Sequence, residues 1–325
     1  SRYCLTEYGD ILHNLLAVQK EQNYEQEKLI LENLTHSYPN SLIIYERLGN
    51  LAYREKNMTE AMQYFKLAEN KENYSKVYTF VRREWIENNI LYMLLIVGFV
   101  IAAIVIYKRF KRRYLAKENA NANIQALEYS NYVCFHPSMG FWNLKRERKG
   151  NLFAAVVLVV LVCIIKILSD VGTGFIFNTT GSDYNFLLQI GLLLIIAVWC
   201  ISLWCVTSLM DGKGTMRDIF IATAYSFMPY IKLNLIAVIL SRFMLENEAD
   251  FLYIFTAGAI LWTAALLIMS VKQTNDYTML KTFAVIIITL VVILLIVFIA
   301  MLIFALMQQF YSFIVAIYQE VVLRI

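Results

Sequence analysis

The stretch DGKGTMRDIFIATAYSFMPY, residues Asp211–Tyr230, lies between two long apolar runs and decides how the chain is interpreted. Its first half, Gly-Lys-Gly-x-x-Arg, is polar and predicts a short loop in water. Its second half enters an apolar helix that carries Tyr225, Pro229, Tyr230 and, two residues later, Lys232. Polar groups in hydrocarbon cost several kcal/mol unless they have partners. We therefore expect a functional or close-packed region here.

The composition indicates a membrane protein with a water-exposed N-terminal part. Hydrophobic residues make up 59% of the 325 residues and charged residues only 17%, whereas soluble domains average about 45–50% and about 25%. Nearly all long apolar runs follow residue 89, and residues 1–89 hold 11 Lys/Arg and 13 Asp/Glu. The formal net charge of +4 is therefore not the footprint of a nucleic-acid-binding protein.

Six apolar runs are long enough to cross a bilayer, which needs about 20 residues per helix. They are Ile90–Tyr107, Leu152–Leu168, Phe186–Met210, Ile219–Leu240, Phe251–Val271 and Thr282–Met307. The predicted fold is therefore all-α, with a helical N-terminal module and six transmembrane helices. The domains that we expect are an extracytoplasmic module at 1–89, an anchor helix at 90–107, a basic cytoplasmic linker at 108–149 and a five-span membrane domain at 150–325.

The distribution of basic residues predicts the orientation in a plasma membrane. The linker after span one and the short loops after spans three and five hold fourteen Lys/Arg, whereas the loops on the other side hold only Arg242. Because basic loops stay in the cytoplasm, the N-terminal module and the C-terminus are expected outside. The last segment, Gln308–Ile325, keeps apolar residues at helical spacing and is expected to extend span six, the alternative being a helix along the outer interface.

Residues 20–34 and 54–68 align at an offset of 34, which is the tetratricopeptide period. Small residues in such repeats lie where two helices cross closely, and large ones fill the space between them. The expected signature positions are Tyr45, Leu48, Gly49, Ala52, Ala61, Phe65 and Ala68. A further helix over Tyr74–Asn88 would cap the pair, and the module would bind protein or peptide. The alternative is an unrelated helical hairpin domain.

Three features together resemble the Yip-type membrane domain (Ypt-interacting protein family), in a bacterial version. They are HPSMGFWNLKRERKGN at His136–Asn151, the Asp211–Ile231 stretch, and the five-span layout of residues 150–307. The residues Glu60–Asn89 are similar to the junction between tetratricopeptide helices and the first span in bacterial proteins that end in a Yip domain. The resemblance implies an accessory subunit of a carbohydrate ABC importer, because genes of such relatives often lie beside importer components.

The partners implied by that resemblance are the importer's permease subunits and a substrate-binding protein, together with membrane lipids but no nucleic acid. Two other functions stay open: a membrane-organising Yip-family protein that acts on trafficking or lipids through its basic loops, and a small transporter. The sequence offers no catalytic set, no metal spacing and no phosphate loop. We therefore expect no enzyme activity, no cofactor and no metal.

The candidate interaction or packing residues all lie in or just after the opening stretch. Pro229 removes a backbone hydrogen bond and predicts a kink, which serves packing or lines a cavity. Lys232 is expected beyond the bilayer midpoint, where it snorkels outward, finds a partner or serves transport. Lys213 and Arg217 are candidates for contact with lipid phosphates or a partner. The set comprises Asp211, Gly212, Lys213, Gly214, Arg217, Tyr225, Pro229, Tyr230 and Lys232.

Overall fold

The computed structural model describes residue 18 and residues 24–115, 122–178 and 186–324, and these form α-helices joined by short turns. Twelve helices are labelled here in chain order. They are α1 (Tyr24–Ser37), α2 (Leu42–Arg54), α3 (Met58–Leu67), α4 (Lys71–Leu115), α5 (Ala122–Phe135), α6 (Pro137–Arg146), α7 (Leu152–Gly172), α8 (Phe186–Leu209), α9 (Met216–Ser226), α10 (Met228–Ser241), α11 (Ala249–Asn275) and α12 (Met279–Arg324).

Six helical segments are long and apolar enough to cross a membrane, which confirms the predicted all-α fold with six spans. They are Lys71–Ala103, Leu152–Gly172, Leu187–Leu209, Met216–Ser241, Glu246–Asn275 and Met279–Glu320. The chain is therefore a multi-pass membrane protein. Its residues divide into two compact units: unit 1 comprises Ser1–Tyr114, Asp170–Ser182 and Ile236–Ile254, and unit 2 comprises Leu115–Ser169, Asp183–Leu235 and Phe255–Ile325.

In unit 1, α1, α2 and α3 pack as antiparallel neighbours. Leu31 and Leu34 of α1 meet Ile44 and Leu48 of α2 in one apolar cluster. A Cβ on Gly49 would lie 2.8 Å from the ring of Phe65, so only glycine permits this helix crossing. The glycine therefore lets α2 and α3 approach closely.

The predicted repeat-signature positions mostly lie in the core of unit 1. Leu48, Gly49, Ala52, Ala61, Phe65 and Ala68 are buried, and Tyr45 is half-buried. Of the aligned residues 20–34, residues 20–23 fall outside the described residues. The burial fits any close-packed helical hairpin, so the tetratricopeptide assignment stays a prediction.

Helix α4 differs from the prediction, because the expected cap helix and the first span are one continuous helix. It has 45 residues, which at 1.5 Å per residue is about 66 Å. No Pro or Gly interrupts Tyr74–Ile90, and Arg83 pairs with Glu87 one turn away at 2.9 Å. The sequence therefore has no helix stop where residue 89 was expected to end a domain.

The first turns of α4 are held by two loops of unit 1. The Tyr78 hydroxyl donates to the Arg242 carbonyl at 3.0 Å, and the ring of Tyr74 lies edge-on to Phe175 at 4.9 Å. The Arg82 guanidinium donates to both carboxylate oxygens of Glu248 at 2.8 and 3.1 Å. It also donates to the Phe243 carbonyl at 3.0 Å. The N-terminal helices are therefore anchored to residues 170–178 and 241–248.

Unit 2 corrects the interpretation of residues 108–149 as a linker. Residues 108–115 complete α4, and residues 122–146 form the two helices α5 and α6. Buried residues of both helices, among them Ala126, Val133 and Phe141, belong to the same apolar core as α7, α8 and α9. Residues 122–146 are therefore part of the packed fold of unit 2 and are not a free linker.

Span four is broken into α9 and α10 at Phe227, as the proline two residues later predicts. Proline in the first turn of α10 needs no hydrogen-bond donor there. Helix α12 continues unbroken from Met279 to Arg324, 46 residues in all. The final segment therefore extends span six, as predicted, and does not form a separate interfacial helix.

We predict that Glu248→Gln lowers the free energy of unfolding of the purified protein by about 1–2 kcal/mol, because a partly buried guanidinium loses a charged partner. The measurement is thermal unfolding in detergent micelles. Glu87→Gln is the matched control, since it breaks an exposed Arg–Glu pair on α4 that is worth about 0.3–0.5 kcal/mol. Equal losses in the two variants would contradict the anchoring role of Arg82.

Candidate functional site

The polar half of the opening stretch forms a tight loop at one end of unit 2. Helix α8 ends at Leu209, and Asp211 then adopts a left-handed backbone with φ 54°. Aspartate tolerates that conformation better than most residues. The Gly212 N–H donates to the Thr207 carbonyl at 2.7 Å, which satisfies one of the free carbonyls at the end of the helix.

Both glycines of this loop are required by the turn that follows α11. A Cβ on Gly212 would lie 2.7 Å from Asn275 Oδ1 and 2.7 Å from the Tyr277 hydroxyl. A Cβ on Gly214 would lie 2.9 Å from the same Asn275 oxygen. Instead, the Gly214 N–H donates to Asn275 Oδ1 at 3.2 Å, and the Tyr277 hydroxyl donates to the Met210 carbonyl at 3.0 Å. Residues 210–215 and 275–277 thus form one interlocked surface, here named the loop face.

A capping box begins α9 at the edge of the loop face. The Thr215 hydroxyl oxygen accepts from the Asp218 N–H at 3.3 Å, and the Asp218 carboxylate accepts from the Thr215 N–H at 3.1 Å. The box satisfies two N–H groups that a helix start leaves free. Span four therefore begins at Met216, three residues before the position taken from hydropathy.

Asp276, on the loop face, forms ion pairs with three basic side chains. Its carboxylate lies 3.5 Å from Lys145, 3.7 Å from Arg146 and 3.7 Å from Lys213. Partial burial alone would raise the pKa of Asp276, but the three cations, Lys145 first, outweigh it and hold that pKa below its ordinary value. The end of α6 and the glycine loop are thereby tied to the turn after α11.

The apolar half of the stretch packs beneath the loop face. Tyr225 is fully buried, and its hydroxyl donates to the Ala126 carbonyl of α5 at 2.8 Å. A Cβ on Gly150 would lie 3.3 Å from that hydroxyl and 2.4 Å from Leu144. Pro229 is buried, and Tyr230 is half-buried against the core. Tyr225 and Gly150 thus lie where α5, α6 and α9 pack together.

The sequence did not determine the surroundings of Lys232 and Arg217, and the structure gives them. Lys232 lies with its ammonium 5.2 Å from the ring centre of Phe135, a cation–π distance. Arg217 is exposed in the first turn of α9. Of the nine predicted residues, Lys213 belongs to the ion-pair cluster, whereas Lys232 belongs to a separate contact with Phe135.

The residues that sequence reasoning missed are Asn275, Asp276 and Tyr277. A sequence signal for this turn exists, because an Asn-Asp pair directly follows span five. Such residues often end a helix by adopting the left-handed backbone conformation. Asp276 does adopt that conformation, with φ 57°. Without the structure, nothing related this turn to the glycine loop more than sixty residues earlier.

The loop face and the helix ends beside it carry an excess of positive charge. The basic residues are Lys145, Arg146, Arg148, Lys149, Lys213, Arg217, Lys272 and Lys281, and the acidic ones are Glu147, Asp211, Asp218 and Asp276. Eight cations against four anions leave a formal charge of +4. Within the described residues, no group of three or more His, Cys, Asp or Glu could hold a metal ion. Lys213 is 71% exposed, so this surface can bind an anion.

These features define a multi-pass, all-α membrane protein with an interlocked, positively charged loop face. The family model of the Yip1 domain matches residues 131–316. Because the match covers more than half of the chain, the protein belongs to the Yip1 domain family. No curated protein and no solved structure matches the chain significantly. The family match begins within α5 and leaves out the N-terminal helices.

We predict that Gly212→Ala lowers the free energy of unfolding by about 1–3 kcal/mol, because its Cβ must displace groups held by hydrogen bonds. Gly258→Ala is the matched control: its Cβ would meet nothing within 4 Å, and alanine favours a helix by up to about 1 kcal/mol. Thermal unfolding in detergent compares the two. A Gly212→Ala protein as stable as the control would contradict the interlocked geometry.

We predict that Asp276→Asn destabilises the protein by about 1 kcal/mol at pH 7, and that this difference disappears in acid. Asparagine keeps the shape and accepts a left-handed backbone. A carboxyl whose folded pKa is lowered adds stability above its ordinary pKa, about 3.9, and that stability is lost as the pH falls through the folded pKa. Unfolding temperatures of both proteins measured from pH 7 to pH 3 should converge. A difference that stays constant or grows in acid would contradict the ion-pair cluster.

Proposed function

We propose that this protein is a non-enzymatic, membrane-organising member of the Yip1 domain family whose loop face binds anionic lipid headgroups. The observation that carries the proposal is the basic excess around the loop face, eight cations against four anions. Recognition of a headgroup phosphate by Lys and Arg requires charge and hydrogen bonds only. The proposal therefore assigns no reaction to the chain.

Two exposed basic side chains, one on the loop face and one beside it, can reach lipid. The carboxylate of Asp276 neutralises one charge among Lys145, Arg146 and Lys213, so this cluster keeps a formal charge of +2. Lys213 is largely exposed, and Arg217 projects from the start of a span. A basic residue at an anionic membrane surface contributes about 1 kcal/mol of attraction.

The proposed orientation places the loop face in the cytoplasm. Its support is the excess of Lys and Arg in the loops after spans one, three and five, since such loops are retained on the cytoplasmic side. Residues 1–89 and the C-terminus would then lie outside the cell. In that arrangement the basic surface faces the leaflet that carries anionic lipids.

The test is native mass spectrometry of the delipidated protein titrated with phosphatidylglycerol or phosphatidylcholine. We expect tighter binding of phosphatidylglycerol, and a loss on the order of tenfold or more in the double variant Lys213→Gln/Arg217→Gln, from about 1 kcal/mol per charge. The control Lys76→Gln/Arg83→Gln removes the same charge from the exposed surface of α4. Equal affinity for the two lipids, or equal losses in both double variants, would contradict the proposal.

An association with a carbohydrate ABC importer remains a prediction from the sequence resemblance. The family match names no permease subunit and no substrate-binding protein. Membership in the Yip1 domain family supports the membrane-organising role more directly. Affinity purification from native membranes that recovers permease subunits would support it. The contact of Lys232 with Phe135 gives this lysine a packing role, so the transporter hypothesis gains no support from it.

A further inference from the structure

Helices α5 and α6 form a tight hairpin that turns at His136. A Cβ on Gly140 would lie 2.8 Å from the Val133 backbone, so glycine allows the two helices to touch. The Tyr129 hydroxyl donates to the Gly140 carbonyl at 3.3 Å. Between Ala122 and Leu144, Glu128 is the only Asp, Glu, Lys or Arg, whereas about a quarter of the residues in a soluble domain are charged.

The hairpin starts at the level where span two starts. Asn151 caps α7, since its Oδ1 accepts from the Ala154 N–H at 2.7 Å. Its Nδ2 donates to Asn123 Oδ1 at 2.6 Å. The first turn of α5 therefore lies beside the capped end of a transmembrane helix, at the end of unit 2 where the loop face lies.

From that level, α5 runs alongside span four and away from the loop face. Three contacts follow in order along both elements: Tyr225 with Ala126, Met228 with Ser130 at 3.5 Å, and Lys232 with Phe135. The thirteen residues from Asn123 to Phe135 span twelve steps along the helix, a rise of about 18 Å. Half of the hydrocarbon core of a bilayer is about 15 Å.

The far end of the hairpin lies beside the middle of span five, and its other end returns to the loop face. The Phe135 ring is 5.7 Å from the ring of Trp262. Trp262 is thirteen residues before the end of α11, about 20 Å along the helix. Helix α6 then returns, and Lys145 and Arg146 at its end pair with Asp276. The hairpin thus enters and leaves at the same face.

The large side chains that the hairpin exposes are apolar, and the polar His136 and Ser138 are exposed at its turn. Phe135 is 62% exposed, Met139 59% and Tyr132 41%. We propose that α5 and α6 are a re-entrant hairpin, and that this exposed surface contacts lipid acyl chains of the leaflet at the loop face. Both are helices, so most of their backbone groups are satisfied internally at that depth, and at the turn the His136 N–H donates to the Tyr132 carbonyl and the His136 carbonyl accepts from the Gly140 N–H. The placement goes beyond headgroup binding and does not depend on it.

The test measures the depth of single cysteines labelled with bimane in reconstituted vesicles. The five native cysteines are replaced, and cysteines are introduced by Phe135→Cys and Met139→Cys. Ile260→Cys, on an exposed position of α11, is the lipid-facing reference, and Glu147→Cys, just beyond α6, is the aqueous one. We expect nitroxides on acyl chains to quench both hairpin sites within twofold of Ile260→Cys. Iodide should quench them at least fivefold less than Glu147→Cys.

Two results would overturn the proposal. Iodide quenching at Phe135→Cys and Met139→Cys equal to that at Glu147→Cys would place the hairpin in water. Protection of both sites from iodide and from acyl-chain nitroxides would show that protein covers this surface. Elution as a single species in detergent selects folded variants. The Phe135 ring contacts Lys232 and Trp262, and its loss can prevent folding. In that case the quenching measured at Met139→Cys alone tests the proposal.

Discussion

The hydrogen bond from the Gly214 N–H to the Asn275 side chain is the contact on which the arrangement of unit 2 depends. Two chain turns leave the ends of apolar helices here, and the carbonyls at those ends must find donors before they can be placed near hydrocarbon. The Tyr277 hydroxyl satisfies the Met210 carbonyl from the other side. Because Asn275 and Tyr277 occupy the space beside Gly212 and Gly214, a side chain at either glycine would separate the two turns. The two glycines thus allow the loop after α8 to lie directly against the turn after α11.

The six spans and the break in span four could be predicted from sequence because hydropathy and proline act locally along the chain. The sequence prediction divided α4 into two helices, because the start of the apolar run at Ile90 was interpreted as the start of a new helix. No Gly or Pro separates Tyr74 from Ile90, so the helix continues. The hairpin was hidden for a different reason. Basic residues at both ends, Lys108–Arg113 and Lys145–Lys149, gave the segment the composition of a cytoplasmic loop, while its interior between Ala122 and Leu144 has a single charge.

The candidate site was harder to predict than the fold, since its members come together only through tertiary contacts. The stretch Asp211–Tyr230 drew attention because polar residues enter an apolar helix, and that reasoning selected Tyr225 and Lys232 as polar residues in an apolar setting. It could not supply the partners. Tyr225 donates to a backbone carbonyl of α5, and Lys232 faces an aromatic ring rather than a carboxylate. Neither type of partner has a sequence signature, because every residue has a carbonyl and aromatic residues are frequent in this chain.

Asp276 connects the loop face to the hairpin through electrostatics. Lys145 and Arg146 end α6, where cations interact favourably with the helix C-terminus, and the same two side chains reach the Asp276 carboxylate. A hairpin of two short helices that enters an apolar medium needs its return end held at the surface, and charged groups resist being drawn into hydrocarbon. One carboxylate cannot neutralise Lys145, Arg146 and Lys213 together. The ion pairs that hold the end of α6 therefore also leave a net positive charge at the loop face. Asp276 and its three basic partners thus contribute both to the packing of the hairpin and to the attraction of anions.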